Sequence, residues 1–419
     1  MSNVVVIGGG PAGCMAALTA RKKGHNVTLI EKNSIIGKKL NITGKGRCNV
    51  TYKGDNEDFL NNVVTNSKFL MSSINTFNNN DLIDYLTELG INTKLERGNR
   101  IFLSSDNAEE LSNRLYQELK KLNINVVFNT SIAEVIVKEN LVKGVNTNSG
   151  KEIECDSLVI STGGKSYPAT GSTGDGYELA KSVGHSISNI LPALVPIKVY
   201  NEEDCKSLQG LTLKNVNMKI IDIENTKKSL YEAFGELLFT HFGISGPIVL
   251  SASSKINKIK GINEKMKEHK IKCVIDLKPA LSNEELYKRV TRDFEKYTNK
   301  EYKNSLDDLL PKSIIPIVIK RSEIAETKKV HQITKEEKQN LVKIIKEFDL
   351  SLSSLYPVET GIVTSGGINT KEINPKTMES KIVNNLYFAG EVIDVDAFTG
   401  GYNLQIAFST GYVAGNSIK

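Results

Sequence analysis

The 419-residue sequence predicts an α/β fold: a discontinuous, Rossmann-like domain built from both ends of the chain, interrupted by a β-rich, barrel-like subdomain and a helical subdomain. Three observations predict it. A β-branched run at Asn3–Ile7 passes straight into a glycine-rich turn and a helical pattern. Two later apolar runs, SLVISTGG at 157–164 and LYFAGEVID at 386–394, meet glycines in the same way. Between them lie strand-like segments and then a long helical stretch.

Bulk properties narrow the class. A chain of 419 residues, 39% hydrophobic and 24% charged, reads as a globular protein of two or three domains. The net charge of +6, from 54 basic against 48 acidic residues, spreads into a mildly basic surface and argues against nucleic acid as a partner. No apolar run is long enough to span a bilayer, so no membrane partner is expected. The start, MSNVVVIGGG, goes directly into a strand without the pattern of a signal peptide, which predicts a cytoplasmic protein. Five scattered cysteines (14, 48, 155, 205, 273) without a Cys-x-x-Cys pair suit a reducing compartment and offer no zinc site, so no metal is expected.

The first elements carry chemistry. Asn3–Ile7 suits a strand buried on both faces. Gly8-Gly9-Gly10-Pro11-Ala12-Gly13 fits G-x-G-x-x-G, and residues 14–23 read as a helix stopped by Gly24. Gly8 permits the tight turn, Gly10 lets backbone amides approach a pyrophosphate, and Gly13 lets the helix sit close on the sheet. A second strand, Asn26–Ile30, ends at Glu31, placed to accept the ribose hydroxyls of an adenosine and to repel a 2′-phosphate. Strand, turn, helix, strand and acid in this order point to a dinucleotide, with NAD and FAD both open.

The next stretch, LNITGKGRCNV at 40–50, invites several readings. Its two glycosylation sequons are silent without export. It is not a Walker loop, because Lys45 is followed by Gly46 rather than Ser or Thr.

Two distant segments decide between NAD and FAD. The run 157–164 ends in Thr162-Gly163-Gly164, and 386–394 carries Gly390-Glu391 with Asp394 beyond. An NAD domain is usually completed within its own βαβ units, whereas FAD needs distant segments for its isoalloxazine end. The final Thr399-Gly400-Gly401-Tyr402-Asn403-Leu404-Gln405-Ile406-Ala407 supplies close backbone approach and then a helix starting near Asn403. That N-terminus would aim amides at the flavin's pyrimidine edge. Together these favour FAD.

With those motifs in view, the chain closely resembles the BaiN-like bacterial flavoproteins, a family of FAD- and NAD(P)-dependent oxidoreductases. The resemblance runs through GGGPAG at 8–13, EKNSIIGKKLNITGKGRCNVT at 31–51 and STGGKSYPATGSTGDGYELAKSVGH at 161–185. It continues through LLFTHFGISGP at 237–247 and FAGEVIDVDAFTGGYNLQIAFSTGYVAG at 388–415. It implies an FAD-dependent oxidoreductase that reduces a small organic substrate, conjugated ketones among them, with NADH or NADPH as a transient donor. It also implies that Lys39, Leu40, Thr43 and Gly44 carry the FAD pyrophosphate towards the ring, with Arg47, Cys48 and Asn49 beside the flavin. In the two-dinucleotide-fold flavoprotein pattern an Asp commonly stands where this chain has Glu391, and in the BaiN-like family a glycine commonly stands where it has Lys45. Lys32 and Ile132 complete the candidate cofactor set.

The FAD domain is expected at residues 1–190 and 357–419, the β-rich insertion at 191–280 and the helical one at 281–356. Strand-like segments fall at 194–200, 216–223, 228–240 and 271–278, and the stretch from Ser282 to Leu350 is helical in pattern. Ser282 with Glu285 and Thr334 with Glu337 form capping boxes, and Pro311 suits a first helical turn. The insertion reads as a substrate pocket or as a docking surface. Candidate catalytic residues are His241, as proton donor or as a tie for its turn, Arg47, as anion binder or internal salt bridge, and Tyr402, within reach of the ring. Cys48 is a redox thiol or a space-filler. Oxygen as acceptor, giving a flavin oxidase, and an RNA-modifying or RNA-docking flavoprotein are the competing functions. Oligomeric state is not legible.

Overall fold

Val4, Val5 and Val6 are all buried, as a strand flanked on both faces requires. In this computed structural model, which describes residues 1–225 and 227–419, that strand, Asn3–Ile7, is the centre of a five-stranded parallel sheet. The order across it is Leu386–Phe388, Ser157–Ile160, Asn3–Ile7, Asn26–Ile30, Asn125–Val127. The chain divides into two compact units, Met1–Ala193 with Pro357–Lys419, and Leu194–Tyr356. The central sheet therefore joins three stretches that are far apart in sequence.

Against this sheet lie the helix Pro11–Lys22 and the C-terminal helix Tyr402–Ser417. Small residues let the two backbones meet. A Cβ at Gly411 would lie 2.3 Å from the Ala12 carbonyl oxygen, and one at Gly415 2.3 Å from that of Ala16. Gly411 and Gly415 are four apart and so share a helix face. Gly411→Ala is therefore expected to destabilise by about 1–2 kcal/mol in urea unfolding. Forcing apart a packed core costs roughly 1–3 kcal/mol, here about 2–3 because the clash is with backbone rather than a movable side chain, while alanine's better helix propensity returns about 1 kcal/mol. An unchanged unfolding midpoint would contradict this packing. The Asn-rich region resolves into short helices, Asn56–Asn62, Met71–Thr76 and Asn79–Glu88, the last started by an Asn78–Asp81 capping box.

The second unit is built on a closed six-stranded antiparallel barrel, Ile197–Val199, Gly243–Ser245, Tyr231–Thr240, Thr212–Asp222, Ile271–Asp276 and Phe348–Leu355. The sequence reading assigns 281–356 to a helical subdomain; the structure corrects this. Phe348, Leu350 and Leu352 are buried and alternate with Asp349, Ser351 and Ser353, a period of two that makes a strand. Because this last strand closes the barrel, barrel and helices share one hydrophobic core. The capping boxes form as expected: Ser282 Oγ accepts from Glu285 N at 3.2 Å, and Thr334 Oγ1 accepts from Glu337 N at 3.2 Å. Pro316 rather than Pro311 occupies the first turn of a helix, Ile315–Ser322. Among the described residues no helix is long and apolar enough to cross a membrane, and no cluster of His, Cys, Asp or Glu could hold a metal ion.

Candidate functional site

The site is assembled at the ends of the parallel strands in the first unit. Gly8 (φ +102°) turns the chain so tightly that a Cβ would lie 2.6 Å from the Ser161 carbonyl oxygen. At Gly13 a Cβ would lie 1.9 Å from the Gly8 carbonyl oxygen, so the helix that begins at Pro11 and Ala12 rests directly on the turn. Gly10 differs: a Cβ there meets nothing within 4 Å, and no side chain caps the helix. Its first-turn amides thus have no side-chain acceptor, which suits an anionic diphosphate in the open space beside Gly10.

Glu31 is buried and tied to this turn. Its Oε2 accepts from Gly9 N at 2.7 Å, and its Oε1 accepts from Asn33 N at 2.8 Å and Asn33 Nδ2 at 2.7 Å. Lys32 donates to Thr173 Oγ1 and Asp175 Oδ2, both at 2.6 Å. Burial pushes the Asp175 carboxyl up, but the hydrogen bonds from Lys32 and Thr173 together hold it below its ordinary value. Ile132 starts a hairpin strand close by, where Thr130 N donates to the Glu31 carbonyl at 3.1 Å.

A second polar centre forms around Glu391. Lys39 Nζ lies 2.8 Å from Glu391 Oε2 and 2.6 Å from Ser166 Oγ. Glu391 Oε1 also accepts from Thr364 N at 2.8 Å. Thr162, Gly163 and Gly164 lie alongside: a Cβ at Gly164 would be 2.3 Å from Thr364 Oγ1 and 3.0 Å from Glu391 Oε1. Gly390 N donates to Thr410 Oγ1 at 2.9 Å, and Asp394 N donates to the Ile368 carbonyl at 3.0 Å. Thr162 Oγ1 is buried without a hydrogen-bond partner among the described residues.

The third part joins the loop 40–49 to the C-terminal helix. Leu40 is buried, and Thr43 Oγ1 donates to its carbonyl at 2.7 Å. Gly44 and Cys48 both have positive φ, +59° and +56°. With its amide oriented to satisfy both ends, Asn49 donates to the Thr51 and Ile101 carbonyls and accepts from Gly401 N at 3.0 Å. A Cβ at Gly401 would lie 2.2 Å from the Thr51 carbonyl oxygen, so only glycine fits. The helix starts at Tyr402 without a side-chain cap. Asn403 ties back to Ala397 through both N–H···O directions, at 3.0 and 2.9 Å. Leu404 and Ala407 are half-buried on this helix. The Gln405 side chain is committed to the core, accepting from Thr51 Oγ1 at 2.6 Å and donating to Ser409 Oγ at 3.0 Å.

The three catalytic candidates lie in different settings. The Arg47 guanidinium is held by Glu96 and by Asp106 at 2.7 Å, and sits 4.5 Å over the Phe102 ring. Tyr402 packs against Tyr52, ring centroids 4.9 Å apart, and burial raises its phenol pKa. His241 belongs to the second unit, exposed in the turn after Tyr231–Thr240, its ring edge-on to Phe242 at 4.7 Å. The sequence reading passed over Asn33, Ser166 and Thr364. The signal for Thr364 was present in Thr364-Ser365-Gly366-Gly367, a short strand running into two glycines.

Cys48 is fully buried, and burial pushes its thiol up to about 12. Cys155 and Cys205 are likewise pushed up to about 12, and all five cysteines are buried. We expect none of the five to react with a maleimide in the native protein at pH 8, and all five after unfolding. Rapid native labelling of Cys48 would restore the redox-thiol reading.

The acid beside the glycine turn, the uncapped helix, the open space at Gly10 and the glycine-paved start of the last helix fit FAD along its length. The comparisons agree. The profile of the HI0933-like protein Rossmann domain matches residues 2–417. The 3-dehydro-bile acid delta(4,6)-reductase of Clostridium scindens is 30% identical over 100% of this chain and 99% of its own length. The ribosomal RNA dihydrouridine synthase of Haemophilus influenzae is 30% identical over 100% of this chain and 98% of its own length. Among solved structures, a 3-ketosteroid-delta4-(5alpha)-dehydrogenase from Rhodococcus jostii RHA1 shares the fold, with a TM-score of 0.53 at 13% identity over 99% of this chain and 96% of that one. The resemblance to BaiN-like flavoproteins drawn from the motifs is thereby borne out, and the chain belongs to the HI0933-like family of FAD-dependent oxidoreductases.

Proposed function

We propose that this protein reduces a carbon–carbon double bond conjugated to a carbonyl, with electrons from NADH or NADPH. One observation carries the reading. The full-length relatives are named for unlike substrates, a 3-oxo bile acid with 4,6 double bonds and the uridine of ribosomal RNA, yet each named reaction saturates an alkene conjugated to a carbonyl. Bound FAD supplies the two-electron relay between donor and acceptor. The chain's own part is to orient and polarise. The uncapped Tyr402–Ser417 helix would offer its first amides to a bound flavin and support negative charge there, and Asn49 with Gly401 fixes that helix start against the loop 40–49. A small conjugated ketone is the first acceptor to test.

A second reading makes the acceptor a uridine within RNA. Two of the full-length relatives, from Haemophilus influenzae and Escherichia coli, carry that name at 30% and 28% identity. The test is an anaerobic titration of the yellow protein with NADH and then NADPH, followed by addition of a 3-oxo-4,6-diene steroid or of protein-free ribosomal RNA. Bleaching by a nicotinamide and recovery of colour with either acceptor supports the reading. Bleached protein that recovers colour only with oxygen, releasing peroxide, would replace it with an oxidase.

A further inference from the structure

Charge is unevenly divided between the two units. Residues 194–356 hold 29 Lys and Arg against 23 Asp and Glu, a net +6, while the rest of the chain holds 25 of each sign. The second unit therefore carries the whole excess of positive charge.

On the barrel of that unit, aromatic rings and a lysine alternate along one outer side. Ile197 and Val199 point into the core, so Lys198 and Tyr200, two residues apart, point outwards. The Lys198 ammonium sits 5.2 Å over the Tyr356 ring. Tyr356 meets Phe242 with ring centroids 4.3 Å apart, and Phe242 carries His241 edge-on. On the other side, Tyr200 stacks on His269 at 3.6 Å, and its hydroxyl donates to the Lys267 carbonyl. Tyr200 is 42% exposed, and His241 and His269 are exposed as well. Lys272, two strands over, is paired with Asp349 at 2.7 Å, and burial, then the charge of Glu202, raises the Tyr356 phenol above its ordinary value. Three rings on one side of a half-buried Lys198 and two on the other make an open track, not an enclosed pocket.

We propose that this track, Tyr200 and His269 together with Lys198, Phe242 and Tyr356, docks a single-stranded or looped segment of RNA, its bases stacked on the rings. The proposal rests on the second reading above and names the surface that reading requires. Charge complementarity favours a polyanion, and rings presented by turns at the strand ends favour unpaired bases over a duplex, whose bases are already stacked. A small ketone would need one enclosed site; a polymer uses a series.

The test measures binding of a fluorescein-labelled 12-residue oligouridylate to the FAD-loaded protein by anisotropy, at low and moderate salt, with a duplex RNA of equal length as competitor. We expect salt-sensitive binding that prefers the single strand. Y200A/H269A, changed only at exposed rings, should bind about tenfold more weakly or worse, and Lys198→Gln should weaken binding and flatten the salt dependence. Both variants should keep their FAD and their reduction by the nicotinamide. Equal affinity in parent and variants, or equal affinity for the duplex, would overturn the track. Oligouridylate that binds the track while ribosomal RNA leaves the reduced flavin unoxidised supports the surface and removes the uridine reading. RNA-driven reoxidation with unchanged binding in Y200A/H269A does the reverse.

Discussion

Gly13→Ala is expected to give a colourless protein, destabilised by about 3 kcal/mol, at the upper end of overpacking costs. The added Cβ would stand 1.9 Å from the Gly8 carbonyl oxygen and 2.5 Å from Ser161 Oγ. The first is backbone of the turn itself, so no side-chain rotation relieves it. The helix Pro11–Lys22 must lift away, and its first-turn amides move with it from the position that would suit a diphosphate. Gly10→Ala is the companion variant, because a Cβ there meets nothing within 4 Å. That variant should unfold like the parent yet bind FAD poorly, since its methyl occupies space left for the cofactor. Urea unfolding of the apoproteins and the visible flavin absorbance separate the two effects. If Gly13→Ala stayed yellow with the parent's unfolding midpoint, the turn would not be the FAD cradle.

How much of this was legible in the sequence depended on the range of each signal. Gly8, Gly10, Gly13 and Glu31 lie in one short βαβ stretch, so spacing alone assigned each a physical task. The strand Phe348–Leu355 was misread because a preceding helical run extends the wrong period across it; only its pairing with Ile271–Asp276 and Ile197–Val199 makes it a strand. Thr364 and Ser166 were passed over because they matter through Glu391, 27 and 225 residues away in sequence. At Gln405 the family motif pointed to the cofactor without showing that the side chain is committed to Thr51 and Ser409. Charge was legible only as an average: +6 over the whole chain, all of which resides in residues 194–356.

Glu31→Gln is expected to be nearly as damaging as Glu31→Ala, lowering FAD affinity at least about 100-fold, or roughly 3 kcal/mol. Glutamine is close in shape, so the loss turns on hydrogen-bond direction. Both carboxylate oxygens of Glu31 only accept: one takes the Gly9 N–H, the other takes Asn33 N–H and Nδ2–H. An amide keeps one acceptor and replaces the other with a donor. Whichever way it turns, an N–H is aimed at an N–H, and a buried donor is left unpaired at about 1–3 kcal/mol. A bound ribose whose hydroxyls the carboxylate would accept would meet the misdirected group too, so cofactor binding and turn geometry would fail together. Glu31→Asp keeps the charge but shortens the reach, and should lie between parent and Glu31→Gln. Equilibrium dialysis of FAD against the three variants ranks them. A Glu31→Gln variant with the parent's affinity would mean that the acid serves by shape alone and that the adenosine end is read elsewhere.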